Sequence, residues 1–275
     1  MKATLIQMNS ISDKATNLAA AAELIERAVA EDRPDWVLLP ECFDYLGGDA
    51  RSKHAAAETL PDGPAYRMLR DLARRHRIFI HAGSILERIE AETRLGNTTL
   101  VFDRDGAEVA RYRKIHLFDI TSPDGTEYKE SASFKPGEAV VTYDCEGITV
   151  GCAICYDLRF PALFQALAER GAQMIALPAA FTLQTGKDHW EVLCRARAIE
   201  TETYFCAAAQ TGTFMQGGQP RQTYGHSLVA DPWGHVVARA SDGIGTVSTR
   251  LDMTRVAKVR AMIPVARHRV AMPSR

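Results

Sequence analysis

Thr149-Val150-Gly151-Cys152-Ala153-Ile154-Cys155-Tyr156-Asp157-Leu158-Arg159-Phe160-Pro161 is the stretch around which the chain is organised. A short apolar, β-branched run stops at a cysteine, a polar pair follows, and Pro161 leads into the helical pattern Ala162 to Arg170. This pattern predicts a strand, a tight turn and a helix start. A nucleophile at such a turn sits at the carboxyl end of a strand, where open α/β sheets bind ligands. It also faces backbone N–H groups that stabilise a thiolate and an oxyanion. Cys155 is therefore the candidate nucleophile.

Working outward, Val140 to Cys145 and Ile148 to Ile154 form a hairpin about Glu146-Gly147. Met174-Ile175-Ala176-Leu177-Pro178 is the next strand, Asp188 to Glu202 a helix and Tyr204 to Ala209 a buried strand. Ser227 to Ala230 and Val236 to Ala240 flank the turn Asp231-Pro232-Trp233-Gly234. Gly245 to Leu251 is the last strand, and Asp252 starts the last clear helix. Upstream, Lys2 to Met8 is a strand, Ser12 or Asp13 caps a helix over Asn17 to Ala30, and Asp35 to Pro40 is an apolar strand ending at Glu41. The segment to Gly63 reads as irregular, Ala65 to Arg77 as an amphipathic helix and Ile78 to Ile85 as one buried strand. Asn97 to Phe102 turns at Asp103-Arg104-Asp105-Gly106 into a strand that runs to Tyr112 and delivers Lys114. Thr121 to Ser133 is a polar loop. Val37-Leu38-Leu39-Pro40 is echoed by Ile175-Ala176-Leu177-Pro178, a trace of internal two-fold repetition. Strands alternating with helices and mixed with hairpins imply a layered α/β fold with a mixed sheet.

The 275 residues carry 46% apolar and 24% charged side chains, ordinary for a globular chain, with no linker or low-complexity tract. A formal net charge of −1 gives no long-range attraction to nucleic acid or anionic membrane. No apolar run approaches the roughly 18–20 residues of a membrane span, and the first residues read as a strand rather than a signal peptide. The six cysteines are expected to be reduced thiols, because a chain of this size needs no staples and carries no export signal. A cytoplasmic setting follows.

Glu41, Lys114 and Cys155 each end a strand, and strands sharing a direction bring such ends to one rim. A carboxylate, an ammonium and a thiol there suffice for acyl transfer. The carboxylate takes the thiol proton and later activates water. The thiolate attacks a carbonyl and forms a thioester. The ammonium and the backbone N–H of Tyr156 hold the oxyanion, an interaction typically worth roughly 3–4 kcal/mol. Spacing alone is a weak signal, since these residue types are common.

Leu39-Pro40-Glu41-Cys42-Phe43, Tyr112-Arg113-Lys114-Ile115-His116-Leu117-Phe118-Asp119 and the stretch Gly151 to Pro161 resemble the three motifs of the nitrilase superfamily of carbon–nitrogen hydrolases. His189 to Leu193, Arg195 to Glu200, Tyr224-Gly225-His226-Ser227 and Asp231 to Gly234 extend the resemblance over nearly the whole chain. It implies an α/β four-layer α-β-β-α sandwich forming one domain over residues 1–275, a Glu41–Lys114–Cys155 triad, a homodimer packed through one helical layer, and no cofactor or metal. Tyr156 to Phe160 is similar to the amidase branch that contains deaminated-glutathione amidase and omega-amidase. Tyr224 to Ser227 and Ala207 to Gly212 look closer to the former, whereas Ile115 to Ile120 occurs in the latter; Ala162 departs from the glutamate frequent there.

The implied activity is hydrolysis of a small α-keto dicarboxylate amide, foremost deaminated glutathione, releasing α-ketoglutarate and cysteinylglycine. The alternatives are α-ketoglutaramate, an N-carbamoyl compound or a nitrile, and a non-catalytic binding protein of the same fold. Glu130 falls at the family's second-glutamate position, orienting Lys114, and Arg159 falls where relatives hold a substrate carboxylate. Phe181 and Thr182 complete the candidate substrate-binding residues.

Plainer readings stand beside these. Cys152 is most simply a small core residue, because Cys152-Ala153-Ile154-Cys155 has no second pair to complete a zinc set. Cys42 on an extended segment faces away from Glu41. Arg159 pairs alternatively with Asp157 or Glu200, Arg195 to Glu200 is a helix face making ion pairs, and His116, His189 and His226 serve packing or support roles, with a pocket position open to His226.

Overall fold

The computed structural model describes residues 1–122 and 125–270. Its first part comprises β1 (Lys2–Gln7), α1 (Lys14–Asp32), β2 (Trp36–Leu38), α2 (Ala50–Ala56), α3 (Pro64–His76), β3 (Phe79–His81), β4 (Ile85–Arg88), β5 (Leu95–Phe102) and β6 (Glu108–Arg113). A short ribbon of β7 (Asp119–Thr121) and β8 (Glu127–Lys129) leads to β9 (Thr142–Cys145), β10 (Ile148–Cys152), α4 (Pro161–Glu169), β11 (Met174–Ala179), α5 (Leu183–Thr201) and β12 (Tyr204–Ala209). The hairpin β13 (Thr211–Gln216) and β14 (Gln219–Tyr224) follows, then β15 (Leu228–Ala230), β16 (Val236–Arg239), β17 (Gly245–Arg250), α6 (Met253–Met262) and α7 (Val265–His268).

Period-two alternation gives the early strands two apolar faces, and both are buried. Ala3, Leu5, Trp36, Leu38, Phe79 and Val101 join a cluster with Tyr143, Val150, Cys152 and Ile175 of a second sheet. Ile6, Val37, Leu39, Ile80, Leu100 and Phe102 pack the other way, against Ala21, Leu24 and Ile25 of α1 and Leu69 and Leu72 of α3. Helix α1 is capped by Asp13, which accepts from Thr16 N–H, and α3 opens on Pro64 in its first turn. On the far side Leu163, Phe164 and Leu167 of α4 and Trp190, Cys194 and Ala198 of α5 cover the second sheet. The order is therefore helix, sheet, sheet, helix.

Each sheet is mixed. The seven-stranded sheet runs β17-β1-β2-β3-β5-β4 with β6 on β5, and β1, β2 and β3 are parallel. The six-stranded sheet runs β16-β15-β12-β11-β10-β9, and β10, β11 and β12 are parallel. The echo between Val37–Pro40 and Ile175–Pro178 has a structural counterpart: β2 and β11 are the central parallel strands of the two sheets.

Several local expectations are corrected. The run Ile78 to Ile85 is two strands, broken at Gly83, whose φ is 59° and where a Cβ would lie 2.0 Å from the Pro40 carbonyl oxygen. The irregular stretch before Gly63 contains α2, which buries no residue and is held by the capping box of Asp49 and Ser52. Helix α5 starts at Leu183 rather than Asp188, because Gly186 is tolerated where its missing side chain admits Tyr224; a Cβ there would meet the Tyr224 Cβ at 2.3 Å. The polar loop carries β8 and a 3-10 turn, Glu130–Ala132; its residues 123–124 lie outside the described ones.

Candidate active site

Strands β2 and β6 run the same way, since β2 is parallel to β3 while β3–β5 and β5–β6 are antiparallel. Their carboxyl ends thus share one edge and bring Glu41 and Lys114 together. Cys155 comes from the other sheet, just beyond β10, so the three residues meet between two sheets and not on the rim of one. Lys114 Nζ lies 2.9 Å from Glu41 Oε1 and 2.9 Å from Glu130 Oε2. All four side chains are largely shut from solvent, with Lys114 at 2%, Glu41 at 4% and Cys155 at 7% exposure and Glu130 half-buried. An ammonium can be buried this deeply only with partners. Burial opposes its charge, but Glu130 and Glu41 outweigh that and hold its pKa well above the ordinary lysine value.

The carboxylates are themselves fixed. Asn97 Nδ2 donates to Glu41 Oε1 at 2.9 Å and to Glu130 Oε1 at 3.2 Å. Both neighbours are acceptors, which forces the amide orientation. Phe118 N–H donates to Glu130 Oε2 at 2.6 Å, and Ala180 N–H, just past β11, donates to Glu41 Oε2 at 2.9 Å. The second sheet therefore helps aim the carboxylate carried by the first.

Cys155 has a φ of 47°, left-handed for a non-glycine residue, and opens the 3-10 turn Cys155–Arg159. Strained backbone of this kind persists only where the surroundings over-determine it. Asp157, fully buried, does so. Its Oδ2 accepts from Ile154 N–H at 2.8 Å and Tyr112 O–H at 2.6 Å, and its Oδ1 accepts from His116 N–H at 3.0 Å and meets His116 Nδ1 at 2.7 Å. The first amides of such a turn, including that of Tyr156, have no partner within it and are available to an anion. Burial and then the Glu41 carboxylate push the Cys155 thiol well above its ordinary pKa, outweighing Lys114. Cys155 is thus a neutral thiol beside a carboxylate.

A cavity of about 240 Å³ opens above these groups. Glu41, Lys114, Glu130, Cys155, Tyr156, Phe181 and Thr182 all line it. Arg159 does not. Its guanidinium lies 5.5 Å from the Phe181 ring centre and meets His189 Nδ1 at 3.3 Å. Cys42 does line the cavity, contrary to its expected outward direction, because its φ of 54° turns the chain after Glu41 where an extended segment was expected. His226 does not reach it; Nδ1 faces the Tyr224 carbonyl at 2.9 Å and the ring stacks on Tyr224. His116 stacks on Phe160. In the run Arg195 to Glu200, Arg197 pairs with Glu200 at 2.9 Å, and its Nε donates to the Leu158 carbonyl. Sequence reading missed Asn97, Asp157 as a hub, and the Ala180 amide. Asp157, between Tyr156 and Leu158, carries the signal of a charge among apolar neighbours; Asn97, among Gly96, Thr98 and Thr99, carries none, and neither does a backbone donor. Among the described residues no group of three or more His, Cys, Asp and Glu side chains is placed to hold a metal ion.

A profile of the carbon-nitrogen hydrolase family matches residues 2–261. This chain belongs to the carbon-nitrogen hydrolase family. Like its family, it is a hydrolase of non-peptide carbon–nitrogen bonds. The deaminated glutathione amidase of Synechocystis is 39% identical over 98% of this chain and 97% of its own. Human omega-amidase NIT2 is 38% identical over 96% of this chain and 93% of its own. The nitrilase and fragile histidine triad fusion protein NitFhit of Caenorhabditis elegans is 41% identical over 96% of this chain, which spans 59% of that longer protein. The structure of Saccharomyces cerevisiae Nit3, a member of branch 10 of the nitrilase superfamily, superposes with a TM-score of 0.87 at 32% identity, covering 98% of this carbon-nitrogen hydrolase and 96% of Nit3.

Proposed function

We propose that this carbon-nitrogen hydrolase is a thiol-dependent amidase of small α-keto dicarboxylate amides, with deaminated glutathione its foremost substrate. The observation that carries the mechanism is one cavity in which a protonated, buried thiol faces the Glu41–Lys114–Glu130 cluster. The relatives that match this chain along their whole length support the substrate class.

With the amide carbonyl carbon over Cys155, Glu41 accepts the thiol proton as the S–C bond forms. The oxyanion is received by the Lys114 ammonium and the Tyr156 N–H, and Glu130 with Asn97 keeps the ammonium aimed. Glu41 then gives the proton to the leaving nitrogen and the C–N bond breaks, leaving a thioester. Water, losing a proton to Glu41, attacks the thioester; the acid leaves and the thiol is restored. The substrate's α-keto carboxylate is received by Lys53 of α2, which lines the cavity, is half-buried and has no ion-pair partner among the described residues. Arg159, whose guanidinium lies 5.5 Å from the Phe181 ring centre, acts through that ring. The narrowness of the cavity favours one second reading, an omega-amidase, because α-ketoglutaramate releases only ammonia.

Release of α-ketoglutarate from deaminated glutathione and from α-ketoglutaramate, side by side with Cys155→Ala, tests this reading. Higher kcat/KM on deaminated glutathione is expected, with a loss on the order of 10⁴-fold in Cys155→Ala. Turnover by Cys155→Ala would refute the thioester route. Preference for α-ketoglutaramate would mark the omega-amidase, and silence on both would point to carbamoyl or nitrile substrates. We also propose a homodimer through the outer face of α5, where Val192 is 67% and Ile199 49% exposed, and a reducing, cytoplasmic setting that suits six unpaired cysteines. Light scattering tests the dimer.

A further inference from the structure

A second space adjoins the cavity above Cys155. Tyr128, Thr182, Arg221 and Gln222 line the first chamber and also line a second one of about 630 Å³. The first chamber, at about 240 Å³, is smaller than the roughly 300–1,000 Å³ that encloses a drug-sized ligand. It accommodates an acyl group; a substrate with a peptide on the leaving side must extend further. The second chamber is where the extension is open.

That chamber has a sign. Lys187 and Arg221 line it, and among the described residues no Asp or Glu does. Arg221, on β14, is half-buried. Its guanidinium lies 5.8 Å from the Tyr128 ring centre and donates to Thr126 Oγ1 at 3.2 Å. It has no carboxylate partner among the described residues, so most of its planar donor fork is uncommitted. A guanidinium held by a ring and a hydroxyl, with donors to spare, is suited to bidentate binding of a carboxylate. Lys53, by contrast, lines only the first chamber. Arg221 thus borders both chambers, and Lys53 the first alone.

We infer that the second chamber is a leaving-group subsite, and that Arg221 binds the terminal carboxylate of a short peptide attached through the scissile amide nitrogen. The inference rests on the amidase reading above. Arg221 sets specificity and takes no part in bond making. Lys187, exposed, adds a weaker, salt-screened attraction.

The test compares deaminated glutathione with its C-terminal glycinamide, which differs by one charge at the far end, and uses α-ketoglutaramate as the substrate without a peptide. The wild-type enzyme is expected to prefer the free acid by about tenfold in kcat/KM, the scale of one charge-assisted contact. Arg221→Gln is expected to bring the ratio of acid to glycinamide close to one, chiefly through KM, and Lys187→Met to lower it by a smaller factor. α-Ketoglutaramate hydrolysis falls less in Arg221→Gln than hydrolysis of the free acid. An unchanged ratio in Arg221→Gln, or a wild-type enzyme indifferent to the terminal charge, overturns the subsite while leaving the amidase reading in place. Hydrolysis of α-ketoglutaramate with neither peptide cleaved overturns the deaminated-glutathione reading, and the subsite with it.

Discussion

Both sheets place parallel strands at their centre, β1-β2-β3 in one and β10-β11-β12 in the other, yet what their carboxyl ends carry differs. The first sheet ends in ions: Glu41 and Lys114, with Glu130 against them and Asn97 between. The second ends in a neutral thiol on a left-handed backbone and in a donor amide at Ala180. One half stores charge in a low-dielectric place, where it is costly unless paired. The other stores conformation. On the proposed mechanism the site uses both: burial and then the Glu41 carboxylate keep the thiol protonated, and the left-handed turn sets where it sits.

The sharpest way to break the contrast is on the charged side. Lys114→Met leaves Glu41 and Glu130 buried without their cation, which costs about 3–5 kcal/mol when a buried pair is broken. Loss of measurable amidase activity together with a stability drop of that size in urea unfolding is expected; full stability would mean that the carboxylates do not depend on the ammonium.

On the conformational side, Asp157→Asn replaces an all-acceptor group that receives Ile154 N–H, Tyr112 O–H and His116 N–H. The amide NH2 must face a donor, so the Cys155 turn shifts. Asp157 is a positioning residue, and kcat is expected to fall roughly 10–100-fold with KM little moved, as expected of a displaced nucleophile. Slower alkylation of Cys155 in the variant separates this from a change in substrate binding.

The smallest effect lies between the sheets. His81 of β3 faces Tyr143 of β9, with Nδ1 3.3 Å from the hydroxyl, and burial lowers its pKa to about 3. The folded state keeps it neutral, whereas an unfolded histidine takes up a proton below about 6.5. Stability from this group is therefore complete above the unfolded value and is lost as pH falls from there toward 3. Asp44, raised to about 6 first by burial, opposes this by destabilising as pH rises from 3.8. The comparison is accordingly between proteins: His81→Gln is expected to remove about 2 kcal/mol of stability difference between about pH 5 and 7. Parallel wild-type and variant curves would show that the cleft between the sheets admits the charged ring.

Much of this was legible in the sequence for a physical reason. Strand ends followed by Glu41, Lys114 and Cys155 are local patterns, and alternating apolar runs betray buried strands. The two-sheet partition was not legible, because pairing is non-local and both sheets use the same apolar alphabet. Helix α2 and the hairpin β13–β14 escaped because neither has an apolar stripe; α2 buries nothing, and Gln219, Pro220, Arg221 and Gln222 face water or the cavity. Arg159 was read by its distance along the chain from Cys155; the 3-10 turn sets its guanidinium 5.5 Å from the Phe181 ring centre. Asn97 looked like a strand residue because it is one.

Gly83 carries a consequence for how such chains are inventoried. It lies against the Pro40 carbonyl, where even a methyl group would come within 2.0 Å, so no side chain fits beside the residue that precedes Glu41. A chain with alanine there would spell out glutamate, lysine and cysteine in full and yet hold the glutamate out of place. Inspection of motifs would count it as intact; the missing part would be a hydrogen atom's worth of room.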